Sequence, residues 1–445
     1  MVSTFGRLHA SRRLNGYPTR PRGGLASATS KKWKFRLVVV TVRNKSRIRQ
    51  LVADTMPEDT MPDTTYAGPK RILDADSHIM ELPNWLTEFA DTRTKEILKP
   101  LSLGKAGALA DKAIDAADQR RASGVGVDDD TLSKELMGLK GWNAYGSFDG
   151  AERCRVMDHL GFDAQMVFPT FAPVQFTGGT DELLHGGARA LNRAMVAFCD
   201  DPRLIGVAWV PWTDPAETLA IATEAVDGGC GAVMVPSEPG EFGPSHAAWD
   251  RLYAMLQERA IPLVTHIGGG GRTLKPAFHN NGIVVTDWIG GGENLRSKDF
   301  MSVHANPSYM FGCLVMDGVL ERFPRLMFAS VEQGATWVPG WMRQLDIAQA
   351  TFGKTEPVLK GLSMKPSEYI RRQMRFTPFP TEDVSWLIEQ GGPELFLFSS
   401  DYPHPEGGRN PIARFDAGLA KFDAQVAEQF YYGNMADLMG ASLSV

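Results

Sequence analysis

The stretch ILDADSHIMELP at 72–83 sets Asp74, Asp76 and His78 at alternate positions, so on an extended strand the three side chains project to one side. Two of them could chelate one metal ion, or Asp76 and His78 could be a strand-end polar pair that satisfies backbone groups. IPLVTHIGGGG at 261–271 ends an apolar run in His266 and follows it with glycines, whose backbone lets a ligand approach without Cβ obstruction. A lone histidine there could equally belong to the core. LFLFSSDYPHPEGG at 395–408 presents Asp401, and His404 three residues on, after an apolar run. An acid at that point suits a metal ligand or general base, with a helix-capping or turn aspartate as the alternative.

FASVEQGATWVPGWMRQLD at 328–346 puts Glu332 at a run's end and Trp337, Trp341, Arg343 and Asp346 on the helical segment after it. The tryptophans read as packing. Arg343 is either a solvated helix charge or a clamp for a substrate carboxylate, in its own chain or a neighbouring subunit. His304, in MSVHANPS, falls outside any strand pattern and is a second-tier candidate for lining a pocket. For His9, His159, His185, His246 and His279 surface or structural roles are the default.

The elements that must position these residues follow from the hydropathy pattern. From Arg71 onward, short runs rich in Val, Ile and Phe alternate with longer segments of helical period. Strands are expected at 71–76, 164–169, 204–211, 231–236, 262–267, 326–332, 374–378 and 395–400, and outer helices at 215–226, 246–260, 309–323 and 337–349. This alternation predicts an α/β fold, a (β/α)8 TIM barrel, whose active site lies at the C-terminal strand ends. Asp76, His78, His266, Glu332 and Asp401 all fall at such ends. Residues 91–150 read as a long insertion after the first strand, forming a partly helical lid or small subdomain.

The chain has 445 residues, 43% apolar and 22% charged, which is globular composition. Residues 1–53 hold 9 Arg and 4 Lys and no acid, so the remaining body is strongly acidic. Such a body repels phosphate backbones, and no nucleic-acid partner is expected. Residues 1–69 read as a basic disordered arm, a transit-type peptide, or upstream sequence translated from a start placed too early, with Met56 and Met61 as alternative starts. The barrel domain is assigned to 70–445. Cys154, Cys199, Cys230 and Cys313 have no zinc-finger spacing and read as reduced, mostly buried thiols. The longest apolar run near the N-terminus is Leu37 to Val40, far short of the ~20 residues that span a bilayer. No membrane partner is expected, and the localisation is read as cytoplasmic. A Walker loop, a GxSxG elbow and a GxGxxG after a strand are missing, and the glycines at 268–271 and 290–292 match no phosphate cradle.

Taken in chain order, DADSH, HIGGG and SSDYPHPEG, supported by MDHLGFDAQMVFPT at 157–170, resemble the amidohydrolase superfamily over roughly residues 70–440. The resemblance is to the amidohydrolase-related group, which includes aminocarboxymuconate semialdehyde decarboxylase and other non-oxidative decarboxylases. It implies metal ligands at Asp76, His78, His266 and Asp401, a catalytic group at Glu332 where the decarboxylase has histidine, and a carboxylate-binding arginine at Arg343. Asp76 replaces the first histidine of the family's His-x-His pair, so one divalent ion, Zn²⁺ or Mn²⁺, is expected. The fourth strand, CGAVMVPSE, offers no lysine to be carbamylated, with Glu238 the only nearby substitute, so the site should be mononuclear.

The implied activity is non-oxidative decarboxylation of a small aromatic or enoic carboxylate. Asp401, Glu332 and Arg343 would be catalytic, and His304, Arg343 and His404 would bind substrate. Alternatives are a metal-dependent hydrolase of an amide, ester or lactone at the same site, and a non-catalytic metal-binding barrel. Family habit adds a homodimer or higher homo-oligomer.

Overall fold

In the computed structural model of the chain, the described residues are 65–443, apart from 105–106, 124–126, 269–273, 275 and 284–296. Thr60–Val445 form one compact unit. Residues 1–64, and with them most of the basic arm, lie outside the described residues, as do Gly269–Gly271 and Gly290–Gly292.

Seven parallel strands pair in chain order: β1 (Leu73–Ile79), β2 (Ala164–Pro169), β3 (Leu204–Trp209), β4 (Ala232–Met234), β5 (Leu263–His266), β6 (Phe328–Val331) and β7 (Met374–Phe376). The eighth expected strand is an extended segment held by parallel bridges on both sides, Phe376 with Phe396 and Ser77 with Tyr402. Its backbone closes the barrel through Leu397 N–H to Phe376 O (2.9 Å), Ala75 N–H to Phe398 O (3.0 Å) and Asp401 N–H to Asp76 O (2.9 Å). The expected barrel is therefore the observed one, with a short-laddered last strand.

Eight of the described helices follow the strand order outside the barrel. They are α1 (Gly150–Leu160, ahead of β2), α2 (Asp181–Phe198), α3 (Pro215–Gly228), α4 (Asp250–Arg259), α5 (Ala305–Met316), α6 (Val338–Phe352), α7 (Val384–Gly391) and α8 (Pro411–Leu419). Their starts are written in the sequence. Asp149, Thr180, Asp214 and Asp383 each accept a bond from a first-turn N–H, and prolines occupy the first turns of α3, α6 and α8. The Val, Ile, Phe and Leu of the strands and of the facing helix stripes are buried together as one core.

Three expectations need correction. β1 runs on to Ile79, so Asp76 and His78 lie within the strand rather than after it. Backbone bonds to the closing segment, Asp401 N–H to Asp76 O and His78 N–H to Tyr402 O, keep the chain extended, and a register shift between Asp74 and Ser77 re-aims that part of the strand. The helix expected at 309–323 breaks after Met316, where Asp317 ends it and Gly318 takes φ +75°, a left-handed conformation suited to glycine. Of the cysteines, all free, only Cys230 is buried and Cys313 is exposed.

The insertion holds three further described helices, Thr92–Ile97, Gly107–Ser123 and Asp129–Glu135, and then residues 140–147, which pack on the C-terminal mouth. Met80 N–H donates to Ser147 O (2.7 Å), Gly141 N–H to Pro403 O (2.9 Å) and the Tyr402 hydroxyl to Tyr145 O (2.7 Å). No described helix is long and apolar enough to cross a membrane.

Candidate metal centre at the barrel mouth

Four strand ends converge. Asp76 and His78 come from β1, His266 ends β5, Glu332 follows β6 and Asp401 follows the closing segment. One donor atom from each of Asp76, His78, His266 and Glu332 lies within 4.8 Å of the others, and the same holds for His78, Glu332, Asp401 and His404. His78 Nε2 is 3.2 Å from Asp76 Oδ1 and 3.6 Å from Asp401 Oδ1. His266 Nε2 is 3.4 Å from Asp76 Oδ1 and 3.3 Å from Glu332 Oε2.

The backbone is forced into this arrangement at two points. Glu332 and Asp401 both have φ +52°, the left-handed region that disfavours a side chain by about 1–2 kcal/mol. Each is secured by its neighbours, Glu332 N–H donating to Thr377 Oγ1 (2.8 Å) and Asp401 N–H to Asp76 O (2.9 Å). Below the cluster Asp74 takes no part in it. Its carboxylate accepts from Ser400 N–H (2.8 Å), Ser400 Oγ–H (2.5 Å), Gln165 Nε2 (2.7 Å) and Asp76 N–H (3.3 Å), so it ties β1, β2 and the closing segment together.

Buried polar groups are normally satisfied, and a cluster of unsatisfied ones calls for a missing partner. Here Asp76 Oδ2, His78 Nε2 and both Asp401 oxygens are buried without a hydrogen-bond partner. His404 Nδ1 is 3.1 Å from Asp401 Oδ1, close enough for an ion pair but without hydrogen-bond alignment. Two carboxylates and one imidazole with bare donor atoms, with the His266 ring beside them, fit a divalent cation of the zinc or manganese type.

The electrostatics follow from burial and crowding. Burial, reinforced by the charge of His404, drives His78 down to about 3, which leaves it a neutral ring. Burial also raises Asp76, but His266 and His78 outweigh it and hold the carboxyl below the usual carboxylate range. Glu332 is raised well above its ordinary value by burial first and then by the Asp401 and Asp76 carboxylates. Asp401 is pushed up to about 6 by burial, against the opposing pull of His404. One carboxyl raised beside another held low is the separation of carboxyl groups that proton transfer uses.

Other candidates stand apart from this cluster. His304 begins α5 and stacks on Trp337, with ring centroids 5.9 Å apart. Arg343 is exposed on α6 and is not among the residues lining the small cavity beside the cluster. Asp76, Glu332, Phe379, Asp401 and Glu406 line that cavity.

Three residues escaped the sequence reading. Thr170, the last letter of the MVFPT segment, touches both His78 and His404. Glu81 is buried and accepts from the backbone N–H of Thr170 (2.7 Å), Phe171 (2.9 Å) and Ala172 (3.2 Å). Lys140 has a buried Nζ with no hydrogen-bond partner, in the charge field of Asp401 and Glu406. Only the polar residue after a strand marked Thr170 beforehand, and nothing local marked Lys140.

The sequence profile of the family described as Amidohydrolase matches residues 73–440. No curated protein matches the chain. Among solved structures, an amidohydrolase from Mycobacterium avium subsp. paratuberculosis K-10 is similar at 21% identity and TM-score 0.63, covering 84% of this chain and 100% of that one. A 5-carboxyvanillate decarboxylase from Novosphingobium aromaticivorans DSM 12444, solved with manganese and 4-hydroxy-3-methoxy-5-nitrobenzoic acid, is similar at 16% identity and TM-score 0.53, covering 84% and 98%. A 2,6-dihydroxybenzoate decarboxylase from Rhizobium is similar at 14% identity and TM-score 0.52, covering 83% and 98%. At these identities the likeness is one of fold.

Proposed function

The chain belongs to the amidohydrolase family, and from that premise we propose that it is a metal-dependent carboxy-lyase acting on a small aromatic or enoic carboxylate. The observation that carries the reading is the approach of Asp76, His78, His266 and Asp401 to one another, with Asp76 Oδ2, His78 Nε2 and both Asp401 oxygens bare and buried, beside a Glu332 whose carboxyl is raised by burial and by its carboxylate neighbours. The four would hold one Mn²⁺ or Zn²⁺, and the manganese in the similar carboxyvanillate decarboxylase supports the harder ion. When bound, the ion supplies Lewis acidity that polarises a substrate oxygen and stabilises developing negative charge.

The chain's own residues do the rest. Lys140, whose buried Nζ has no hydrogen-bond partner, attracts the substrate's anionic group, and His404 adds a polar ring beside Asp401. Arg343, exposed on α6, serves as a carboxylate clamp only where a homo-oligomer presents it to a neighbouring copy. Glu332 delivers its proton to the carbon that loses CO₂. The electron pair of the breaking C–C bond becomes the new C–H bond, and the Glu332 carboxylate regains a proton from water. The protein is assigned to the cytoplasm.

A second reading, hydrolysis at the same site, draws on Asp401, whose raised value of about 6 suits a base that takes a proton from water. A panel of hydroxylated benzoates, carboxyvanillate-type acids and enoic acids, with amides, esters and lactones alongside, separates the two. CO₂ release that falls by about 10²-fold or more in Glu332→Gln supports the carboxy-lyase. Release of a new acid without CO₂, or full turnover in Glu332→Gln, overturns it.

A further inference from the structure

We infer that Thr170 is a positioning residue that decides which ring nitrogen of His78 and of His404 faces the cation cluster, an inference that rests on the metal-site reading above. The Thr170 hydroxyl has three polar neighbours: Ile79 O at 2.8 Å, His404 Nε2 at 3.0 Å and His78 Nδ1 at 3.2 Å. A hydroxyl offers one proton and two lone pairs. Ile79 O can only accept, so the proton goes there, and both ring nitrogens must be donors. His78 is thereby fixed with its proton on Nδ1 and a bare Nε2 turned to Asp76 and Asp401. His404 is fixed with a proton on Nε2, and its Nδ1 faces Asp401 Oδ1 at 3.1 Å.

An independent observation agrees with this assignment. His78 Nε2 is buried without a hydrogen-bond partner, as a lone pair aimed at a cation should be. The two imidazole rings of His78 and His404 stack with centroids 3.9 Å apart, which brings both within reach of one hydroxyl.

Thr170 is itself held from two directions. Its N–H and those of Phe171 and Ala172 converge on the buried Glu81 carboxylate, and its hydroxyl is bonded to the end of β1. A threonine at the end of β2 thus reads out the position of β1 and passes it to two rings. Partners of this kind commonly alter metal affinity by about 10–100-fold when removed.

The test uses the full-length protein labelled with ¹⁵N-histidine, metal-free and loaded with Zn²⁺, together with Thr170→Val and Thr170→Ser. In the metal-free wild type, long-range ¹H–¹⁵N spectra should give protonated Nδ1 and bare Nε2 for His78, and protonated Nε2 for His404. Thr170→Val, which keeps the shape and loses the hydroxyl, should weaken Zn²⁺ binding about tenfold or more, redistribute the His78 tautomers and leave the metal-free melting temperature within a few degrees. Thr170→Ser should restore tautomers and affinity to within a few fold.

His78 protonated at Nε2 in the wild type, or a Thr170→Val protein that binds Zn²⁺ as tightly as the wild type, overturns the inference. So does loss of affinity in both variants together with loss of stability, which marks a packing role. The wild-type spectrum needs no variant to fold. If the wild type takes up no metal, the metal-site reading fails, while the metal-free tautomers still decide the role of Thr170.

Discussion

Asp74 is the buried acceptor that joins β1, β2 and the closing segment, and removing it should loosen the seam that spaces Asp76 from Asp401. Asp74→Ala strands four donors at once: Ser400 N–H, Ser400 Oγ–H, Gln165 Nε2 and Asp76 N–H. An unpaired buried donor costs about 1–3 kcal/mol, and water admitted to the vacated space restores part of that, which leaves about 4 kcal/mol. With a melting entropy of about 2.1 cal/mol/K per residue over the unit Thr60–Val445, the midpoint falls by about 5 °C. Ser400→Ala removes only the hydroxyl, about 1.5 kcal/mol. Because that hydroxyl is already stranded in Asp74→Ala, the double variant should lose about 1.5 kcal/mol less than the sum of the singles. Calorimetry of the metal-free proteins gives the cycle, and titration with Zn²⁺ should show weaker binding in Asp74→Ala. Additivity of the two substitutions within about 0.5 kcal/mol would refute the shared network.

Other expectations test separate parts of the account. A Cβ at Gly407 would fall inside the Ser400 carbonyl oxygen and against Asp401 Cβ, so Gly407→Ala should destabilise by about 1–3 kcal/mol and weaken metal binding, read by melting and titration. Lys140→Met should raise KM for carboxylate substrates more than it lowers kcat, and Lys140→Arg should recover most of the loss. Burial raises the Asp201 carboxyl, but bonds from the Arg203 side chain and backbone outweigh it and hold its folded value below the unfolded value of about 3.9. Its stabilisation is therefore present at neutral pH and lost as pH falls below about 4, so the melting difference between wild type and Asp201→Asn should narrow from pH 7 to pH 3.

The barrel was readable because strand and helix periods alternate cleanly and the loaded residues sit at run ends. Asp401 and His266 stood out as polar residues terminating apolar runs, the kind of position a barrel mouth exposes. Asp76, Ser77 and His78 look like a strand's end, so the sequence pattern predicts a shorter β1 than the one observed. The chain stays extended through them because the closing segment bonds to Asp76 O, and Tyr402 O accepts from His78 N–H (2.6 Å). Lys140 and Glu81 were illegible because their roles arise from packing between segments far apart in sequence. Lys140 is followed by Gly141, which bonds to Pro403, and Glu81 caps residues 170–172. The sequence position of Arg343 suits a helix charge and a clamp equally, and its exposure on α6 leaves a clamp role only through a neighbouring chain.

The central claim is that the cluster holds a divalent ion. Elemental analysis and titration with Zn²⁺ and Mn²⁺ should be run on the wild type, His266→Ala and Asp401→Ala. About one ion per wild-type chain, lost in both variants while their folds persist, is the predicted result. A fully folded wild type that takes up neither ion from a metal-replete medium would contradict the claim and reduce these residues to polar groups at strand ends.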